Sequence, residues 1–238
     1  MTAEVQATTR EELLRRLGDA IITVPRTHPL RVAIDGVDGA GKTTLADELV
    51  PYIERHDRPV IRASIDGFHR PRAARYRRGV DSPEGFYYDS FDYDAVRTAL
   101  LDPLGPDGHR RYRTATFDWR VDVAVDAPMR EATENEVLLF DGVFAQRREL
   151  ANAWDLCIFL EVGFDETLRR SLIRDIGPGT SPEELQRRFW ARYAAGQRLY
   201  LSSVRPSERA HILVDNRDPA RPRILRWQEP PSSVMSPK

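Results

Sequence analysis

The chain has 238 residues, of which 41% are hydrophobic and 31% charged, and its formal net charge is -1. At roughly 100–200 residues per domain, this length builds one domain whose core needs no disulfide or metal staples. The near-neutral balance argues against a general nucleic-acid binder, and no apolar run reaches the ~20 residues that cross a bilayer.

Thr9-Arg10-Glu11-Glu12 reads as a capping box, and Leu13, Leu14, Leu17, Ile21 and Ile22 follow at helical spacing, which predicts a helix over 10–22. This start, polar and charged through Arg16, is not that of a secretory signal. Pro25 to Pro29 ends the helix, and Leu30 to Asp35 reads as a short apolar strand. A glycine-rich turn over 36–41 leads into a helix over 42–55, and a second strand is expected over 59–65. Residues 66–91 are rich in Arg, Gly, Pro and aromatics without a clear period, and read as a long functional loop or a partly helical insertion. A helix over 92–101 and turns over 101–109 follow, then an alternating Thr, Val and aromatic stretch over 110–125 that predicts paired strands. Apolar strands are expected over 136–141 and 155–162. Amphipathic helices over 164–176 and 182–201 flank a loop at 177–181, and a last strand spans 211–215. The tail from Asp218, rich in Pro, Arg and Ser, reads as loosely attached. The single Cys157, in an apolar setting, reads as an inert thiol in a reducing, cytoplasmic compartment. Strands alternating with helices imply a parallel sheet covered on both faces, with ligands at the carboxyl ends of the strands.

Gly36-Val37-Asp38-Gly39-Ala40-Gly41-Lys42-Thr43 matches the phosphate-binding pattern G-x-x-x-x-G-K-[ST] in full, between an expected strand and an expected helix. Its glycines let backbone amides converge on phosphate oxygens, and the helix N-terminus adds positive charge. Lys42 is expected to reach the β and γ phosphates of ATP, and the Thr43 hydroxyl to ligate Mg²⁺. Of the 36 Lys and Arg residues only Lys42 and Lys238 are lysine. A lone internal lysine marks a place where a compact ammonium serves and a planar guanidinium does not fit. The same scarcity excludes the N-K-x-D guanine motif of GTPases, and a motor ATPase would need a longer chain, which leaves a small-molecule kinase.

Two carboxylates complete the expected site. Asp141 ends the apolar run Val137 to Phe140 in a Walker B pattern and is a candidate Mg²⁺ ligand. Asp66, just past the second strand, is placed to orient or deprotonate an acceptor hydroxyl and to contribute to the metal site.

Gly36 to Thr44, Asp66-Gly67-Phe68-His69, Asp81-Ser82-Pro83-Glu84-Gly85-Phe86, Asp141-Gly142 and Arg169-Arg170-Ser171-Leu172-Ile173-Arg174-Asp175 occur in that order. Together they resemble the uridine kinase, phosphoribulokinase and bacterial pantothenate kinase group of P-loop kinases, over about residues 28–216. The resemblance implies a three-layer α/β/α fold with a five-stranded parallel sheet, a small β-hairpin insertion and an Arg-bearing helical lid. It implies transfer of the ATP γ-phosphate to an alcohol, with Asp66 as catalytic aspartate. His69, Asp81, Phe117 and Trp119 become candidate substrate residues. Phe117-Asp118-Trp119-Arg120 is only roughly similar to the nucleobase hairpin of uridine kinases, whose following histidine is absent here. The implied organisation is an N-terminal helix over 1–27, a kinase domain over 28–217 with an insertion at about 66–128 and a lid at about 169–185, and a tail over 218–238.

In the lid, Arg170 and Arg174 share a helix face at a spacing of four and, with Arg169, are expected to neutralise charge on the transferring phosphoryl group. Arg70, Arg72, Arg75, Arg77 and Arg78 crowd around Tyr76 and read as an RNA-contacting patch, a subsite for an anionic substrate, or an exposed loop. The aromatics Phe86, Tyr87, Tyr88, Phe91 and Tyr93 read mainly as core. The function expected is an ATP- and Mg²⁺-dependent kinase of a small-molecule alcohol, nucleoside-like first, with pantothenate or a sugar or sugar phosphate as alternative acceptors. A nucleotide-dependent RNA-binding or regulatory module is the alternative of another class. No membrane or nucleic-acid partner is expected, and a homo-oligomer is compatible with the sequence.

Overall fold

In a computed structural model that describes residues 6–176 and 181–228, the chain opens on a short strand, β1 (Gln6–Ala7), and a helix, α1 (Arg10–Thr23). Thr9 caps α1 by accepting from the Glu12 amide at 3.2 Å, half of the predicted capping box. The apolar face of α1, with Leu13, Leu14, Leu17 and Ile21 buried, packs on α2 (Lys42–Glu54). Between these helices runs β2 (Leu30–Gly36), and after them β3 (Val60–Ser64). All seven residues of β2 are buried, because it has a strand on each side and a layer on each face.

The insertion folds into α3 (Arg72–Arg75), α4 (Pro83–Asp89) and α5 (Tyr93–Val96), followed by a wider helical turn over Arg97–Leu101. Four short strands come next: β4 (Arg111–Tyr112), β5 (Phe117–Asp118), β6 (Val123–Ala124) and β7 (Arg130–Glu131). β5 pairs with β6 and β4 with β7, so the hairpin predicted over 110–125 is a nested pair of ladders reaching Glu131. The remaining elements are β8 (Val137–Gly142), β9 (Leu156–Glu161), α6 (Phe164–Asp175), α7 (Pro182–Arg188), a wider turn over Phe189–Ala194, α8 (Ala195–Val204), α9 (Pro206–Arg209), β10 (Ile212–Asp215) and β11 (Arg223–Trp227). Of the lid expected over 169–185, residues 177–180 lie outside the described residues.

The main sheet has the order β1-β11-β10-β9-β2-β8-β3. The five strands from β10 to β3 are parallel, as expected. β11 and β1 extend this parallel sheet by antiparallel pairing, which corrects one expectation. The expected five-stranded parallel sheet is part of a seven-stranded one, and Arg223–Trp227, expected in a loose tail, is tied down, while residues 229–238 of that tail lie outside the described residues. The reason is local: Ile224 is buried against the α1 side of the core with Trp227 packed against the same core, so the segment gains apolar burial and covers the β10 edge.

Side chains alternate along each strand and build two cores. In β8, Leu138 and Phe140 join Phe68, Phe86, Phe144 and Trp154 on one face, while Val137 and Leu139 join Leu13, Leu17, Leu45 and Leu49 on the other. No helix among the described residues is long and apolar enough to cross a membrane. Because Ile224 is 4% exposed within the second core, Ile224→Ala should cost about 2–5 kcal/mol of folding stability in urea titrations. A loss below about 0.5 kcal/mol, typical of a surface site, would return this segment to a loose tail.

Candidate active site

β2, β3 and β8 end on the same side of the sheet, and the residues that follow them line one cavity of about 940 Å³. The loop after β2 turns on Gly39 and Gly41, whose φ angles of 73° and 90° lie in the left-handed region. A Cβ on Gly41 would also stand 2.9 Å from Asn216 Nδ2. That Asn216 nitrogen donates to the Ala40 carbonyl at 2.7 Å, and Gln197 Oε1 accepts from the Asp38 amide at 2.6 Å. The loop is therefore fixed from the end of β10 and from α8. Lys42, the first residue of α2, is buried and donates from Nζ to the Val37 carbonyl at 2.8 Å. Asp38, Gly39, Gly41, Lys42, Thr43 and Thr44 line the cavity, while Gly36, Val37 and Ala40 are buried behind it.

Strand register builds the acidic part. β8 lies between β2 and β3, so Asp141 sits beside Ile34 on one side and Ser64 on the other. Thr43 Oγ1 donates to Asp141 Oδ2 at 2.7 Å and Ser64 Oγ donates to the same oxygen at 3.3 Å. Arg62 Nη2 pairs with Asp141 Oδ1 at 2.9 Å. Asp66 stands on the turn Ile65–Phe68 that leaves β3, where the absence of a Gly67 side chain lets the hairpin approach. A Cβ at Gly67 would lie 2.9 Å from both the Ala115 Cβ and the Thr114 carbonyl oxygen. The Asp66 side chain is 59% exposed, but to the cleft, whose walls surround it. That enclosure raises its carboxyl above the ordinary aspartate range; Lys42 opposes the shift and Asp141 adds to it. Asp38 is raised for the same first reason, with Lys42 opposing and Asp66 adding.

His69 Nδ1 lies 3.1 Å from the Asp66 carbonyl oxygen. Desolvation pulls the ring's pKa down to about 4, so it is neutral at pH 7, with Nδ1 donating and Nε2 left as an acceptor. Its centroid is 4.5 Å from that of Phe91 and 5.7 Å from that of Trp119, and all three rings line the cavity.

The other predicted residues divide. Arg174 lines the cavity and pairs with Asp175 at 2.7 Å. Arg170 also lines it, but its guanidinium donates to the carbonyls of Gly39, Asn216 and Arg217 and pairs with Glu166, which makes it a clamp on the phosphate loop. Arg169 is outside the lining, 61% exposed and paired with Glu166, because its place on α6 turns it outward. Asp81 is likewise outside, held by Arg187 of α7 at 2.6 Å, and that guanidinium lowers its pKa. Phe117 is buried under the hairpin rather than facing the cavity; its neighbour in sequence and space, Trp119, does face it. In the arginine-rich insertion, Arg77 and Arg78 both close on the buried Asp89, at 2.6 and 2.7 Å, while Arg75 enters the cavity.

No family model matches the chain. It is 28% identical over 153 residues to a uridine kinase of Ureaplasma urealyticum serovar 10, covering 62% of this chain and 70% of that one. It is 28% identical over 150 residues to uridine-cytidine kinase B of Dictyostelium discoideum, covering 63% and 59%. The fold superposes on a possible uridine kinase from Bacillus stearothermophilus with a TM-score of 0.68, at 21% identity, covering 85% of this chain and 97% of that one. The chain is similar to the uridine kinase-like group of P-loop kinases. This kinase is an ATP-dependent phosphotransferase acting on a small molecule.

Several residues that build the kinase's site or line its cavity carry no sequence motif. Arg62 is the polar position of an alternating edge strand, and only the register with β8 puts it on Asp141. Asn216 follows the last parallel strand, a placement that the strand-end rule could have singled out. Arg120, Arg188 and Arg192 also line the cavity. The depressed His69 pKa has a consequence for stability. The free ring titrates near 6.5 and the folded one near 4, so between those values the unfolded chain binds more protons. Acidification through that window should destabilise the protein, and His69→Gln should remove that part of the loss. An NMR titration in which the His69 ring protons shift with a midpoint above about pH 6 would contradict the assignment.

Proposed function

We propose that this kinase transfers the γ-phosphate of ATP to the hydroxyl of a nucleoside-like alcohol, with Mg²⁺ as metal. The observation that carries the reading is that Lys42, Thr43, Asp66 and Asp141 line a single cavity at the strand ends. In this reading the phosphates of ATP lie along the amides from Gly36 to Thr44 at the positive end of α2, and the Lys42 ammonium meets the β and γ phosphates. Mg²⁺ takes a few hard protein oxygens and fills its shell from phosphates and water. Thr43 Oγ1 and Asp141 Oδ2, 2.7 Å apart, are such donors, with Asp66 beside them. Among the described residues no group of three or more His, Cys, Asp or Glu offers a fuller cage, so the donor set suits this ion. When bound, Mg²⁺ neutralises charge on the β and γ phosphate oxygens.

Asp66 receives the acceptor's hydroxyl proton as that oxygen turns toward the γ-phosphorus, and its raised pKa improves it as a base. Neutral His69 offers Nε2 to a second hydroxyl of the acceptor, and the Phe91 and Trp119 rings give a face for a flat ring. Arg174 supplies charge to the transferring group as water is excluded. The names of the two relatives, a uridine kinase and a uridine-cytidine kinase, support a nucleoside acceptor. A cytoplasmic setting is consistent with Cys157, whose buried thiol is pushed up by desolvation and stays protonated.

Two substitutions test the assignment. Asp66→Asn keeps size and one acceptor oxygen but takes no proton, so transfer should fall about 10²–10⁴-fold while ATP binding holds across Mg²⁺ concentrations. Wild-type-like transfer would place the base elsewhere. Arg174→Ala should lower kcat more than it weakens ATP binding, because the charge it meets is largest in the transition state. An unchanged kcat would make this arginine a solvated partner of Asp175 and nothing more.

A further inference from the structure

Four guanidinium groups surround the Tyr76 ring, and three of them line the cavity: Arg192 at 4.5 Å from its centroid, Arg188 at 5.5 Å and Arg75 at 5.6 Å, with Arg72 at 5.8 Å outside the lining. The three come from two separate parts of the chain, Arg75 from α3 and the other two from α7 and the turn after it. All three line the cavity with Tyr76. Arg192 is 2% exposed and donates only to the carbonyls of Arg75, Gly79 and Ser82. Among the described residues, no carboxylate pairs with Arg188 or Arg192 within 4.0 Å; Asp81 pairs with the neighbouring Arg187 instead. Arg75, 8% exposed, has one acidic partner, Asp122 at 3.2 Å, which is itself 39% exposed. The Nε of each of the three is buried without a partner.

Asp81, held by Arg187, feels the charges of Arg188 and Arg192 from farther off. Like charges held this close, with only Asp122 in direct contact and Asp81 at a distance, are an unfavourable arrangement unless a further anion joins them. The cation–π contacts with Tyr76 offset only part of that cost. In the reading above, the phosphates of ATP are already served by the α2 N-terminus, Lys42 and Arg174 of α6. Arg75, by contrast, lies on the side of His69, whose protonation its charge opposes.

We infer that Arg75, Arg188 and Arg192 form a subsite for an anionic group, a phosphate or a carboxylate, carried by the phosphate acceptor itself. This rests on the kinase reading above and narrows it: the acceptor is an alcohol that bears a negative charge away from its reacting hydroxyl. A guanidinium fork binds both oxyanions through paired N–H donors, so the two share one recognition chemistry. The remaining carboxylates of the cavity are engaged elsewhere, Asp141 with Arg62 and Asp175 with Arg174, or stand with Lys42, as Asp38 and Asp66 do.

The test pairs neutral alcohols with anionic counterparts that keep a free hydroxyl: uridine with uridine 3′-monophosphate for the phosphate arm, and glycerol with glycerate for the carboxylate arm. ADP release and product mass are measured for the wild type, Arg188→Gln and Arg75→Gln. The expected result is at least a tenfold higher kcat/KM for the anionic member of one pair. Arg188→Gln should then raise the KM for that acceptor about tenfold and the KM for ATP by less than twofold, a loss typical of one charge-assisted contact. Preference for the neutral member in both pairs, or an Arg188→Gln effect confined to ATP, overturns the subsite and leaves the kinase reading intact. If no member of either pair is phosphorylated, the kinase reading is what suffers, and binding decides the subsite. Inorganic phosphate should bind the protein saturated with a non-hydrolysable ATP analogue, and about tenfold more weakly in Arg188→Gln. Absence of that binding, or equal binding to the variant, overturns it. Should Arg188→Gln fail to fold, Arg75→Gln gives the same readings.

Discussion

The Asp141 carboxylate joins the parts of this kinase that chemistry requires to be together. Thr43 reaches it from the start of α2, Ser64 and Arg62 from β3, and β8 carries it. Each contact depends on β8 lying between β2 and β3 in parallel register, so the strand order is also the assembly rule of the site. A slip of one residue in that register would send Asp141 to the opposite face and leave Arg62 and Thr43 without their shared partner. A buried carboxylate is costly unless charged and hydroxyl donors surround it, and here it has both kinds. The same oxygens that hold the strand ends together are the ones available to a metal.

Arginine carries most of the long-range polar connections, which its near-monopoly among the cations allows. Arg170 ties α6 to the phosphate loop and to the end of β10 through three carbonyls. Arg31 fixes the start of β2 to Asp155, and Arg192 anchors the insertion through carbonyls at Arg75, Gly79 and Ser82. A guanidinium spans such gaps because its five N–H groups point in fixed, divergent directions, whereas an ammonium is a single compact centre. Lys42 sits where compactness matters, tucked over the Val37 carbonyl at the mouth of the loop. The insertion thus meets the rest of the fold through arginines.

Much was readable from the chain because it depends on near neighbours. The loop from Gly36 to Thr43, the capped start of α1 and the fully apolar runs of β2 and β8 are local patterns, and each occupies its expected place. Local pattern failed where an element is decided by what covers it. Arg223–Trp227 looked like part of a loose tail, since the stretch after Asp218 is rich in Pro, Arg and Ser, yet pairing with β10 and burying Ile224 makes it a strand. Phe117 and Trp119 read alike in sequence, but Phe117 is buried within β5, whereas Trp119 lies past the end of that strand and faces the cavity.

The sequence by itself determined the phosphate loop, the parallel α/β class and the two aspartates at strand ends, because spacing of three to eight residues and strand polarity suffice for these. Tertiary structure alone decided which charges meet. Arg169, Arg170 and Arg174 are one basic run in sequence, and helix geometry gives them three environments: solvent, the loop's carbonyls and the cleft. Asp81 and Arg187, or Arg75 and Arg192, stand more than a hundred residues apart and come together only when α7 and the turn after it close on the insertion. Charge pairing is set by distance through space, which the order of residues along the chain does not encode once loops this long intervene.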